Sequence, residues 1–169
     1  MTSTTGTAVV TLPTDEQILI TREFNAPKHL VYRAWTTPDL VKRWWSGRRG
    51  TMTSVEIDLR VGGRWRYVMA VGGSDAGGGE IAFHGEFREI VPEEKIVTTE
   101  VFEMAGVTDP DEGAPLNTVT FSERAGRTTL TLLTHCESKQ LRDMILESGM
   151  EAGMQEQMDL LEKLAISLR

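Results

Sequence analysis

The chain contains a single cysteine, Cys136, so no internal disulfide can form and a reducing, cytoplasmic setting is expected. With three histidines and that one cysteine, no spacing matches a zinc site, and no metal or cofactor is expected. No run approaches the roughly 18 apolar residues of a membrane-spanning helix. Met1 to Thr11 lacks the basic start and apolar core of a secretion signal. Basic residues are in the minority, 18 Lys and Arg against 25 Asp and Glu, a net charge of −7. Nucleic acid and anionic membrane surfaces need the opposite sign to release counterions, so neither is an expected partner. No serine or cysteine lies in a nucleophile motif such as G-x-S-x-G. Gly77-Gly78-Gly79-Glu80 lacks the lysine and hydroxyl residue of a phosphate-binding loop.

What remains is an ordinary globular composition, 40% hydrophobic and 25% charged over 169 residues. A chain of this length suits one domain, here residues 15–169 after a flexible tail at 1–14. Its strongest periodic signal is at the end. Met150, Met154, Met158, Leu161, Ala165 and Leu168 fall within roughly an 80° arc of one helix, which Leu164 widens. Glu151, Gln155, Glu156, Asp159, Glu162 and Lys163 fall on the other side. Leu160 and Ile166 lie off the stripe, where they could touch a second surface or a dimer partner, so both monomer and homodimer are open. Leu141, Ile145 and Ser148 point elsewhere, so Lys139 to Glu147 is a separate short helix that ends at Ser148-Gly149.

Before these helices the chain reads as strands. Glu16 to Phe24 alternates as the first. Asn25-Ala26-Pro27 and Thr37-Pro38-Asp39 then supply caps and first-turn prolines for two short helices carrying Val31, Tyr32, Trp35, Leu40, Val41, Trp44 and Trp45. Six more strands follow, Thr51 to Leu59, Arg64 to Val71, Ile81 to Val91, Lys95 to Glu103, Leu116 to Arg124 and Arg127 to Cys136. Loops at Gly72 to Gly79 and Thr108 to Pro115 separate some of them. Such a succession of hairpins makes an antiparallel sheet, and the terminal helix must bury its stripe against it.

The motifs Phe24-Asn25-Ala26-Pro27, Val31-Tyr32-Arg33-Ala34-Trp35, Leu40-Val41-Lys42-Arg43-Trp44-Trp45, Gly62-Gly63-Arg64-Trp65-Arg66-Tyr67, Gly85-Glu86-Phe87-Arg88-Glu89-Ile90-Val91-Pro92 and Gly149-Met150-Glu151-Ala152-Gly153 carry a resemblance. Together they resemble the START-like, Bet v 1-like superfamily, in its branch named after activators of the heat-shock protein 90 ATPase. The resemblance spans Gln17 to Leu168. It implies an α+β helix-grip fold, a seven-stranded antiparallel sheet curled around the long C-terminal helix with two short helices after the first strand. It also implies a pocket between helix and sheet, and it brings a chaperone into view as a partner. The superfamily includes lipid carriers and polyketide cyclases, so the fold does not fix the role.

The residues point to the same pocket. A methionine-rich helix stripe makes an adaptable wall. The expected ligand-binding set is Trp44, Trp65, Tyr67, Met69, Phe83, Phe87, Phe121, Met150, Met154, Met158 and Leu161, facing a small apolar or aromatic ligand. The same residues could equally pack as plain core. Trp44 and Trp45, about 100° apart on their helix, cannot both point inward. One belongs to the core and the other to the sheet's edge or the pocket mouth.

His84 and Glu86 share a strand face, with Arg66 and Glu100 expected on neighbouring strands. Turned inward, His84 with a carboxylate could serve as a general acid or base, as in a cyclase-like enzyme. Turned outward, they are solvated charges paired across strands. The phase favours the outward direction, since Phe83, Gly85 and Phe87 are the more apolar set, and no catalytic residue is assigned. Arg43, Arg48 and Arg49 form a basic patch beside the tryptophans that could hold an anionic group.

Overall fold

The computed structural model describes residues 8–47, 50–71, 79–104, 107–108 and 114–169. It is an α+β helix-grip fold. Among the described residues ten strands and four helices follow one another in the order β1 (Val9–Thr11), β2 (Gln17–Phe24), α1 (Lys28–Thr36), α2 (Pro38–Trp44), β3 (Gly50–Ile57), β4 (Arg64–Val71), β5 (Glu80–Val91), β6 (Lys95–Thr99), β7 (Val101–Met104), β8 (Val107–Thr108), β9 (Leu116–Arg124), β10 (Arg127–His135), α3 (Lys139–Glu147) and α4 (Met150–Ser167). The strands form one curled, unclosed antiparallel sheet in the order β1-β2-β10-β9-β6-β5-β4-β3, with β7 against β5 and β8 against β7.

Each strand read from the alternation is present. Val9–Thr11 adds an edge strand on β2, and the Ala8 N–H donates to Gln155 Oε1 of α4 at 3.0 Å. The strand expected at Lys95 to Glu103 divides at Glu100. Its first part pairs with β9 and the lower half of β5, and its second part pairs with the upper half of β5. The Glu100 N–H leaves the ladder to donate to the Pro115 carbonyl at 3.1 Å. At this corner a Cβ on Gly85 would lie 1.9 Å from the Thr99 carbonyl oxygen, so only glycine lets β5 and the end of β6 approach so closely.

The long helix covers the concave face. Met154, Met158, Leu161, Leu164 and Ala165 are buried, as the stripe predicts, and join Ile18, Ile20, Phe24, Ile96, Val119, Phe121 and Leu130 of the sheet in one core. Leu160 packs at the margin of that core, while Ile166 is exposed. The break between α3 and α4 falls at Gly149, whose φ of +84° is left-handed and suits glycine. Glu162 departs from the pattern. The helical wheel places it on the solvent side, yet it is buried, because Arg22 on β2 points inward beside Ile18 and Ile20 and needs a counter-charge.

The two short helices also differ in their caps. Neither Asn25 nor Thr37 caps with its side chain. Instead Glu123 of β9 accepts from the Lys28 N–H at 2.8 Å, so the sheet caps α1. No helix among the described residues is long and apolar enough to cross a membrane.

Candidate functional site

The inner face of the sheet carries an aromatic cluster whose members follow from strand phase. Trp65, Tyr67 and Met69 alternate on β4, Phe83, Gly85 and Phe87 alternate on β5, and Phe102 lies opposite Phe83 on β7. The rings touch in sequence. Trp65 to Tyr67 is 4.7 Å between centroids, Phe83 to Phe102 is 5.1 Å, and Trp45 lies edge-on to both Tyr67 (5.3 Å) and Phe83 (4.9 Å). Trp45 is held over the strands by Gln157 of α4, whose side-chain amide donates to the Trp45 carbonyl.

The expected residues divide by burial. Trp65, Met69, Phe87, Phe121, Met154, Met158 and Leu161 are buried, whereas Tyr67, Phe83 and Met150 are half-buried. Trp44 is buried between the two short helices. Its Nε1 donates to the Ala34 carbonyl at 2.9 Å and its ring rests on Trp35 at 4.9 Å. Of the adjacent pair, Trp45 is therefore the one turned toward the sheet's aromatic face, because α2 presents Trp44 to α1.

The polar end of this face was only partly visible in the sequence. Glu100 and Phe102 share a phase, as do Asn117, Val119 and Phe121 on β9 and Leu130, Leu132 and Thr134 on β10. The structure joins three of them in a chain of hydrogen bonds. Thr134 Oγ1 donates to Asn117 Oδ1 at 2.7 Å, and Asn117 Nδ2 donates to Glu100 Oε1 at 2.9 Å. Glu100 keeps part of its surface accessible, yet the protein packed around it desolvates the carboxyl and raises its pKa, the Asn117 bond opposing this. Burial and the nearby Glu100 charge push the Tyr67 phenol up as well. Burial likewise raises the Cys136 thiol at the end of β10. Two signals could have found this end: the shared phase of Glu100 with Phe102, and Asn117 standing where an apolar residue is expected.

The other polar candidates lie on the outer face. Arg66 donates to Glu103 at 3.0 and 3.2 Å, His84 Nδ1 lies 2.5 Å from Glu103 Oε2, and Glu86 pairs with Arg88 at 2.8 Å. Hydrogen bonding from Arg66 holds the Glu103 carboxyl below its ordinary range. Arg66, His84 and Glu103 border a cleft of about 420 Å³ that also touches Glu56, Arg64 and Trp65. A second cleft of about 460 Å³ runs along α3, past Lys139, Asp143 and Met144. Arg43 is exposed, and Arg48 and Arg49 lie outside the described residues. Among the described residues no three His, Cys, Asp or Glu side chains group to hold a metal ion.

Comparison with known proteins agrees with this architecture. A family model described as activator of Hsp90 ATPase homolog 1-like protein matches residues 25–165. A solved protein of Mycobacterium smegmatis is 24% identical with a TM-score of 0.82, covering 97% of this chain and 100% of its own. One from Rhodobacter sphaeroides is 20% identical with a TM-score of 0.83, covering 96% and 99%. An AHSA1-like protein of Aeromonas hydrophila is 20% identical with a TM-score of 0.62, covering 89% and 93%. At these identities the likeness is one of fold. No curated protein matches the chain closely enough to count as a relative.

Proposed function

The chain belongs to the family of activator of Hsp90 ATPase homolog 1-like proteins, and from that premise we propose that it binds a small apolar or aromatic molecule between α4 and the concave face of the sheet. The observation that carries this reading is the incomplete burial of Trp45, Tyr67 and Phe83 on that face. A core with no other task closes over its rings, because each fully buried aromatic side chain contributes roughly 1.5–3 kcal/mol. Here Tyr67 of β4 and Phe83 of β5 keep accessible surface while Trp65 and Phe87 on the same strands, and Ile96 and Leu130 beyond them, are sealed. Half-buried aromatic side chains with a few convergent polar groups suit a small-molecule site.

Native mass spectrometry after incubation with an apolar fluorescent dye tests the reading. One bound equivalent, with a blue-shifted dye emission, is expected. No uptake of the dye would refute it. A cyclase-like activity would have to run through Glu100, the one acid of the four candidates on the inner face; Arg66, His84 and Glu86 project outward. A chaperone partner rests on the family description alone. A cytoplasmic setting is part of the same proposal, supported by the single free and buried Cys136.

A further inference from the structure

Glu100 has no counter-ion among the described residues. Among the described residues it receives one side-chain hydrogen bond, from Asn117, and no Lys, Arg or His pairs with it. The buried charged side chains among the described residues are matched: Arg22 meets Glu162 and Asp159, and Arg142 meets Asp143. An ionised carboxylate taken from water without a partner is costly; holding its proton lowers that cost, and a cation beside its oxygens would lower it for the ionised form.

The groups around it narrow what that can be. Phe102 follows Glu100 on the same face and its ring meets Phe83 at 5.1 Å. Phe83 meets Trp45 at 4.9 Å, and Trp45 meets Tyr67 at 5.3 Å. The Tyr67 phenol is close enough to feel the Glu100 charge. Aromatic faces are the negative side of the ring quadrupole, so the rings and the carboxylate bring negative potential to the same end of the sheet's inner face. An anionic ligand is repelled there, and a neutral one leaves the acid unpaired. A cation gains from both, because ring faces attract ammonium groups and more strongly when desolvated.

We propose that the ligand of this domain is an organic cation, an aryl- or alkyl-ammonium compound whose charged nitrogen lies between Glu100 and the rings of Trp45, Tyr67, Phe83 and Phe102. This rests on the binding reading above and specifies its ligand. The ammonium takes the place of the missing counter-ion, the rings enclose it, and the apolar part of the molecule runs toward the methionine stripe of α4. Asn117, held by Thr134, fixes one oxygen of the carboxylate and leaves the other for the ammonium.

The test uses three probes sharing one ring system: naphthylmethyl-trimethylammonium, naphthylmethanol and naphthoate, titrated into the whole protein by calorimetry and by tryptophan emission. The ammonium compound is expected to bind about tenfold more tightly than the alcohol, and naphthoate more weakly than both. Glu100→Gln, which keeps an oxygen for Asn117 and removes the charge, should bring the ratio of ammonium to alcohol affinity close to one. Trp45→Leu, a second variant that leaves the strands untouched, should also lower that ratio. If the alcohol binds as tightly as the ammonium compound, the cation assignment is overturned and the pocket stands. If none of the three binds, both fall together.

Discussion

Arg22 Nη2 donates to Glu162 Oε1 at 2.8 Å with both side chains buried, tying the first long strand to the terminal helix across the core. Arg22 Nη1 reaches Asp159 at 2.9 Å, and the other Glu162 oxygen accepts from the Asn25 N–H at 2.8 Å. The pair thus fixes the register of α4 over β2 and the entry to α1 at once. Neutralising Glu162 leaves the buried guanidinium paired with the exposed carboxylate of Asp159 and under-compensated on its dry side. Glu162→Gln is expected to cost roughly 1.5–3 kcal/mol in urea unfolding, the worth of hydrogen bonds to a charged group. Replacing both, Arg22→Met with Glu162→Leu, should recover most of that loss. A double variant as unstable as the single one would show that the pair itself, and not the under-compensated charge, holds the helix.

Glu100 should make the fold less stable as pH rises. Its carboxyl has a pKa raised by desolvation in the folded protein, so the unfolded chain gives up the proton more readily. Stability from the protonated acid is therefore complete below the unfolded pKa of about 4.3 and is lost as pH rises through the higher folded value. Glu100→Gln should melt above the parent at pH 8, with the gap closing toward about pH 4. Equal melting temperatures across that range would mean the recess is wetter than its packing implies.

Gly85 supports the corner at which β6 gives way to β7. Its added Cβ would meet the Thr99 carbonyl oxygen at 1.9 Å and Trp65 Nε1 at 2.7 Å. The first neighbour is backbone and cannot swing away. Gly85→Ala is expected to cost roughly 1–3 kcal/mol, the range of overpacked cores, read as a drop in the urea midpoint with the slope unchanged. Unchanged stability would place the two strands farther apart than this.

Most of the architecture was legible because alternation and helical spacing are strong signals over long segments. The α3–α4 break was readable from two stripes that point apart and a glycine between them. Glu162 was not readable, because a helical wheel assigns an acid to solvent unless the base that draws it inward is known, and Arg22 lies 140 residues away. The same limit hid the polar end of the inner face. Asn117 and Thr134 look like ordinary strand residues until the register sets them opposite each other, and Glu100 lies where the strand breaks. Pairing between distant strands supplies that information, and local pattern does not contain it.

The adjacent tryptophans separate packing from binding. Trp44 spends its indole N–H on the Ala34 carbonyl and its ring on Trp35, both within the helical pair. Trp44→Phe should lose that hydrogen bond, about 1 kcal/mol, and lower the melting temperature while ligand affinity holds. Trp45 gives its ring to Tyr67 and Phe83 at the accessible side of the inner face. Trp45→Leu should change stability little, yet weaken binding of an aromatic probe about twofold to tenfold, the worth of roughly 0.5–1.5 kcal/mol for an aromatic pair. Thermal melts and probe titration on the same two proteins give four numbers. If Trp45→Leu leaves probe affinity intact and Trp44→Phe reduces it, the ligand enters between the short helices, and the recess beside Glu100 is not its site.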